Sequence, residues 1–336
     1  MRVYRFAEFG LDHLIQESVE EPRPGPGEVA VDPAALSLNY RDVLVVKGLY
    51  NPRLKLPATP VSDGAGVVAA VGEGVTGLTV GDRVMSHFVS GWQDGPFRAE
   101  YVATTLGAPA AGLAAERVVL PAGAVLPIPE GLDFAAAATL PIAALTAWSA
   151  LVTVGNIQPG QTVCTLGTGG VSIFALQLGK ALGARVIITS SSDEKLDRAR
   201  ALGADHTINY TATPDWDREV LQATDRLGAD LIVENGGAGT LEKSMRATRA
   251  GGTIAFLGAL TGLAAEINLS HLLMKRLHLA GILVDSRASF ERLSAFLGHH
   301  PIRPVVDRTF GFDELVEALR HMEAGAHFGK IVIRVA

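Results

Sequence analysis

The spacing of apolar and polar positions changes character near residue 130. Before it, short runs at 2–6, 14–19, 28–30, 66–71, 83–87 and 116–119 lie between Gly and Pro turns, as strands of a β-rich, turn-rich domain do. Pro24-Gly25-Pro26-Gly27 and Gly72-Glu73-Gly74 mark tight reversals. After it, apolar runs at 162–166, 185–189, 206–208, 229–233, 252–257 and 277–283 alternate with helical stretches such as 193–202, 215–223, 241–247 and 286–298. Six strands joined by five crossovers predict an α/β fold with a doubly wound parallel sheet. The tail reads as one helix over 312–322 and one strand over 330–335, which return to the front part. The expected domains are therefore 1–128, completed by 303–336, and 129–302. Proline supports this division, because 12 of the 17 prolines precede residue 130. The stretch 134–155 is apolar but alanine-rich and holds Thr139, Pro141, Thr146 and Ser149. It predicts a buried, interrupted helical segment rather than a membrane span.

The stretch 162–183 organises the second half. The apolar run Val163-Cys164-Thr165-Leu166 meets Gly167-Thr168-Gly169-Gly170, and Val171, Phe174, Leu178 and Leu182 follow at helical spacing. Gly167 allows a bend that a β-carbon would obstruct, and Gly169 allows backbone to approach a pyrophosphate. The N–H groups opening the helix then face the anion with the positive end of the helix dipole behind them. Ser172 takes the place of a third fingerprint glycine and is small enough for close helix–strand packing. Such a turn alone is weak evidence. The strand at 185–189, arriving just after the helix, supplies the βαβ context that strengthens it.

Bulk properties narrow the partners. Net charge is −6 and the isoelectric point about 5.9, which argues against nucleic acid or an anionic membrane as the main partner. The single cysteine, Cys164, permits no intrachain disulfide and no Cys₂ or Cys₄ zinc site. MRVYRFAEFG lacks an apolar export core, and a reducing, cytoplasmic location is expected.

Several segments together carry a more specific likeness: Ser37-Leu38-Asn39-Tyr40-Arg41-Asp42, Ser62-Asp63-Gly64-Ala65-Gly66, Val71-Gly72-Glu73-Gly74-Val75, Val80-Gly81-Asp82-Arg83-Val84, Ala138-Thr139-Leu140-Pro141, Leu145-Thr146-Ala147-Trp148 and the 167–172 turn. In order and spacing the chain resembles the medium-chain dehydrogenase/reductase superfamily along nearly its whole length. It is most similar to the zinc-independent, quinone-oxidoreductase-like members. The resemblance implies a GroES-like β domain on the substrate side, a Rossmann domain, a cleft between them, and a homodimer. Zinc-dependent relatives carry a Cys in the segment matching 38–41, a His-Glu pair where Ser62-Asp63 stands, a further Cys near the interdomain segment and a four-cysteine structural loop; this chain has none of them. No histidine is spaced with a thiol or carboxylate as a zinc ligand would be, so no metal is expected. Without a Lewis acid, a simple alcohol is hard to deprotonate at neutral pH, whereas a quinone or enone is already polarised.

An NAD-preferring site places an acid about 20 residues after the first glycine. Here Ser190 and Ser191 end the second strand, and Lys195 follows within reach. Hydroxyls and an ammonium suit a 2′-phosphate, so NADP(H) is expected over NAD(H), although Asp193 and Glu194 add negative charge nearby. The resemblance also places Tyr210 by the adenosine phosphate, Thr146 near the nicotinamide, Asn235, Leu257 and Gly258 at strand ends, and Phe328-Gly329-Lys330 over the nicotinamide side. Asn39 is the first candidate to hydrogen-bond the cofactor or the substrate oxygen. Tyr40, Arg41 and Tyr50 are further donors. Asp63 is expected to pair with Arg41, and His87 and Trp92 either line a pocket or pack in the core. The expected partner is a small carbonyl or quinone substrate. The alternatives are an alcohol dehydrogenase or carbonyl reductase of the same superfamily, and a nucleotide-binding protein without catalysis. The apolar strand 277–283 at the sheet edge is where a second copy would pair.

Overall fold

The computed structural model describes residues 1–335. Its strands, in chain order, are β1 (Arg2–Phe6), β2 (Leu14–Ser18), β3 (Glu28–Leu38), β4 (Asp63–Val71), β5 (Arg83–Ser86), β6 (Val118–Pro121), β7 (Val125–Pro127), β8 (Thr162–Thr165), β9 (Arg185–Ser190), β10 (His206–Asn209), β11 (Ala229–Glu234), β12 (Thr248–Phe256), β13 (His278–Gly281), β14 (Val306–Gly311) and β15 (Lys330–Arg334). The chain divides into two compact units, Met1–Leu145 with Val284–Ala336, and Thr146–Leu283. Relative to the boundaries expected at 128/129 and 302/303, residues 129–145 and 284–302 pack with the first unit.

In the first unit a seven-stranded sheet runs β14-β15-β3-β4-β5-β7, with β6 also paired to β3; β1 and β2 form a separate antiparallel pair. Only β14 and β15 pair parallel within the larger sheet. The tail thus completes the front sheet, with Ile331 opposite Leu38. β3 continues well past residue 30, where the sequence pattern had ended it. Pro33 interrupts alternation without ending the strand, because the register shifts between Pro33 and Ala35 and a bulge absorbs the missing N–H. The core packs Leu36, Leu38, Val68, Ile331 and Ile333 against Leu315 and Leu319 of the helix Leu315–Glu323. A short helix, Tyr40–Val46, follows β3 directly.

The second unit is a six-stranded, wholly parallel sheet in the order β10-β9-β8-β11-β12-β13. Its central strands are buried on both faces, which is why they read as continuous apolar runs. The order reverses direction between β8 and β11, the switch point where such sheets bind ligands at their carboxyl ends. The stretch 134–155 is helical and interrupted, with wide turns at Leu140–Ala144, where Pro141 removes a donor, and at Ser149–Val154. No helix among the described residues is long and apolar enough to cross a membrane.

Candidate active site

Two constellations of candidate residues stand out, one in each unit. In the second unit, β8 ends at Thr165 and the helix Gly170–Ala181 begins five residues later. Gly167 sits at φ +75°, the left-handed region a β-carbon disfavours, and its N–H donates to Thr189 Oγ1 at 3.2 Å. Gly169 is the N-cap, and no side chain caps the helix. The N–H groups of the first turn are therefore free for an acceptor from outside the chain. Thr168 and Ser172 are buried, while Gly169, Gly170 and Val171 are half-buried.

The neighbouring strand ends are drawn to this turn. Ser172 Oγ donates to Leu166 O at 2.7 Å and accepts from Asn235 Nδ2 at 2.9 Å. Leu257 N donates to Glu234 O at 2.9 Å, and a β-carbon on Gly258 would lie 2.6 Å from Asn235 O, so only glycine allows this approach. At the end of β9, Ser190 is buried and Ser191 exposed; Tyr210 N donates to Ser190 O at 3.0 Å, and the Tyr210 ring is exposed. Ser192 caps the helix Asp193–Ala201 by accepting from Lys195 N. The Asp193 carboxylate is engaged by Asn209 Nδ2 at 2.8 Å. Thr146 is buried in the helical stretch Leu145–Trp148. The residues fit a dinucleotide: an uncapped helix start, a left-handed glycine and a close glycine approach converge on one edge of the sheet.

Sequence reasoning passed over Glu234. Its carboxylate, fully buried, accepts from Gly236 N at 2.8 Å, Gly237 N at 3.0 Å, Thr240 Oγ1 at 2.6 Å and Ser244 Oγ, so it shapes the loop that carries Asn235. A charged residue closing an apolar strand just before Asn-Gly-Gly was the available signal. Glu234 also adds to burial in pushing the Cys164 thiol up, so Cys164 is an inert core group.

In the first unit the residues gather around Asn39. Asn39 Nδ2 donates to Asp63 Oδ2 at 2.9 Å, and its Oδ1 accepts from Lys330 Nζ at 2.7 Å. Lys330 also donates to Leu38 O at 2.6 Å and stands 4.0 Å from Asp63 Oδ2. Asp63 accepts further from Ile142 N and Ser62 Oγ, each at 3.2 Å. Asp42, also overlooked as a functional group, accepts from Asn39 N at 2.8 Å, while its Oδ1 is buried without a partner. Burial pushes Asp42 up to about 6 against the opposing pull of Arg41. It likewise pushes Asp63 up and Lys330 down, each opposed by the other's charge.

Two expectations change here, and the choice left open for His87 is decided. Asp63 pairs with Asn39 and Lys330, not with Arg41, because Arg41 points the other way: its Nη2 donates to Ala108 O at 2.5 Å, and its guanidinium lies over Tyr50 at 4.5 Å and Phe88 at 4.8 Å. Arg41 Nε and Nη1 are buried without partners. Lys330, expected over the nicotinamide, is 2% exposed with its ammonium turned into the cluster; Phe328 is also buried, and Gly329 at φ +82° packs against Val305 O. His87 is a core group: its Nε2 meets Trp92 O at 3.2 Å, and burial pushes it down to about 4. Tyr40 and Tyr50 are exposed. Among the described residues, no group of three or more His, Cys, Asp or Glu side chains is placed to hold a metal ion.

Comparison with known proteins defines the family. Residues 25–130 match the alcohol dehydrogenase GroES-like domain, and residues 170–298 match the zinc-binding dehydrogenase family. The chain belongs to the medium-chain dehydrogenase/reductase superfamily: a GroES-like domain and a Rossmann-type parallel sheet in one oxidoreductase. Zinc-type alcohol dehydrogenase-like protein C1773.06c of Schizosaccharomyces pombe is 41% identical, over 97% of this chain and 96% of its own. Quinone oxidoreductase-like protein 2 homolog of Nematostella vectensis is 28% identical, over 97% and 87%. A solved NAD-dependent alcohol dehydrogenase superposes with a TM-score of 0.92 at 36% identity, covering 100% of both chains.

Proposed function

We propose that this oxidoreductase transfers hydride from NADPH to a quinone or an α,β-unsaturated carbonyl without a metal ion. The observation that carries the reading is the uncapped start of the helix Gly170–Ala181 beside a strand end that presents Ser190 and Ser191 where an NAD site keeps an acid. Gly167 makes the left-handed turn, main-chain donors of Thr168, Gly169, Gly170, Val171 and Ser172 hold the pyrophosphate, and Ser190, Ser191 and Lys195 take the 2′-phosphate. Tyr210, Asn235, Leu257 and Gly258 flank the dinucleotide, and Thr146 borders its nicotinamide end. The bound dinucleotide supplies the hydride from C4 of its ring. The protein's share is to orient the acceptor and donate to the oxygen on which charge develops, with Asn39 the leading donor and Arg41 and Tyr50, which stack on one another, as further candidates.

The segment 38–41 lacks the Cys, and Ser62-Asp63 stands in place of the His-Glu pair, of zinc-dependent relatives, which favours an acceptor that needs no Lewis acid. The likeness to an NAD-dependent alcohol dehydrogenase favours a second reading, an alcohol dehydrogenase or carbonyl reductase using NAD(H). Fluorescence titration with NADPH and NADH, followed by turnover on a quinone and enone panel, separates the readings. Tighter NADPH binding with turnover is expected. Tighter NADH binding, or stoichiometric zinc in the purified protein, favours the second. Dinucleotide binding with no turnover leaves a binding protein.

The working form is a homodimer in a reducing, cytoplasmic compartment. β13 ends the parallel sheet, and Leu273, Met274 and Leu279 beside it are exposed, which supports a second copy covering this edge. A monomer by light scattering at micromolar concentration removes that part of the proposal.

A further inference from the structure

A carboxamide has nearly the same shape when its oxygen and nitrogen trade places, so an asparagine that must donate needs neighbours that distinguish the two ends. Asn39 has such neighbours. An ammonium only donates, and an ionised carboxylate only accepts. Lys330 Nζ is 2.7 Å from Oδ1, and Asp63 Oδ2 is 2.9 Å from Nδ2. The exchanged orientation would set N–H against ammonium and oxygen against carboxylate, losing two charge-assisted hydrogen bonds and adding two repulsions.

The two charges are themselves held in place. Lys330 is anchored on Leu38 O, and Asp63 on Ile142 N and Ser62 Oγ. Asp42 fixes the Asn39 main chain from the adjoining helix. Lys330 and Asp63 are 2% and 0% exposed, whereas Asn39 is half-buried, so of these three it is the residue with surface left open. Burying both an ammonium and a carboxylate costs several kcal/mol before pairing, more than holding a passive amide requires. The proton count is also uneven. Nδ2 carries two protons; one goes to Asp63, and the other has no partner among the described residues.

We propose that Lys330 and Asp63 are positioning residues that lock the Asn39 carboxamide in one orientation, so that its uncommitted Nδ2 proton is donated to the oxygen of the reacting carbonyl or quinone. This rests on the reading of Asn39 as the donor to the substrate. It makes Lys330 part of the acceptor machinery rather than a contact of the dinucleotide.

The double variant Lys330→Met with Asp63→Asn removes both charges of this pair together, so neither is left buried without the other. Its carboxamide has no enforced orientation. It should keep its NADPH Kd and acceptor KM within about threefold of wild type while kcat falls about 10-fold or more, part of the loss seen when an oxyanion donor is deleted. A kcat within about threefold, or a loss confined to KM, overturns the proposal. A second measurement needs no variant. In the wild type, kcat should fall on the alkaline side below the ordinary lysine value as Lys330 loses its proton, with burial pushing the midpoint down and the charges of Asp63 and Asp42 opposing it, while NADPH affinity stays flat. A kcat that stays level through that range also overturns it. Wild-type protein that turns over no quinone or enone would instead break the functional reading, and this inference with it.

Discussion

The two constellations hold polar groups in opposite ways. At the edge of the parallel sheet the chain leaves main-chain donors uncommitted and removes side chains: no side chain caps the helix at Gly169, Gly167 turns left-handed, and Gly258 lets strands close up. Around Asn39 the charged groups are sealed and committed to one another, through Lys330, Asp63 and Asp42. The first is built to be completed by a ligand. The second is complete apart from one amide proton and one carboxylate oxygen. A site for an exchangeable anion uses backbone, whose geometry the fold supplies. A site that must present one donor in one direction uses buried charge to fix it.

The largest effect should come from completing the first site with the protein's own atoms. Gly169 has φ −78° and ψ −177°, which an aspartate adopts without strain. In Gly169→Asp the carboxylate would cap the helix itself and repel a pyrophosphate, so the same change should hold or raise thermal stability and weaken NADPH binding by at least about 100-fold. Calorimetric titration beside a thermal melt checks both halves. Undiminished binding would mean the helix start is not the anion site.

The second site should show itself through pH. Asp42 is pushed up to about 6 from 3.8, so the native state holds this proton more tightly than the unfolded chain. Its contribution favours folding below about 3.8 and is lost as pH rises through 6. His87 is pushed down to about 4 from 6.5, so the unfolded chain holds that proton more tightly. Its contribution is present above 6.5 and lost as pH falls through 4. Each is worth about 3 kcal/mol, with opposite sign over the same window. Wild-type stability should therefore vary little from these two groups between pH 4 and 6.5. Asp42→Asn should unmask the histidine and lose up to about 3 kcal/mol more on acidification, read by urea titration at pH 4, 5 and 6.5. Parallel slopes for variant and wild type would show that Asp42 is not a strained acid. Both groups lie in the first unit, so the glycine edge should be indifferent to this change.

The same contrast explains what the sequence made legible. The glycine edge is local: strand, turn and helix are contiguous, and the succession of strands and helices follows from the alternating pattern, with strand ends off by a residue or two except at β12, which starts four residues early. The helix predicted at 241–247 forms over Leu241–Ala247. The Asn39 cluster joins residues 39, 42, 63 and 330, and nothing in their spacing says that β15 lies antiparallel to β3 with Ile331 opposite Leu38. Arg41 was the nearer cation along the chain for Asp63. The Tyr50 and Phe88 rings and Ala108 O, all distant in sequence, draw it away. The unit boundaries at 145/146 and 283/284 were equally hidden, because helical periodicity does not reveal which sheet a helix will cover.

The finest test asks whether the glycine edge discriminates between dinucleotides by side chains at all, or only by its backbone. On the proposed reading, backbone donors would serve the pyrophosphate of NADH and NADPH alike, and preference would come from Ser190, Ser191 and Lys195. Lys195 lies in the first turn of the helix Asp193–Ala201, where Ser192 Oγ accepts from its N–H. Of the two acids beside it, Asp193 is engaged by Asn209 at 2.8 Å, which lessens its repulsion of a phosphate. One charge-assisted hydrogen bond is worth roughly 1.5–3 kcal/mol, and partial exposure places this one at the lower end. Lys195→Ala should weaken NADPH about 10-fold, leave NADH within about twofold, and reduce the salt dependence of NADPH binding, because the screened charge pair is gone. Equal losses for both dinucleotides would mean that Lys195 supports the helix rather than the 2′-phosphate. No loss for either would leave the preference to the two serine hydroxyls.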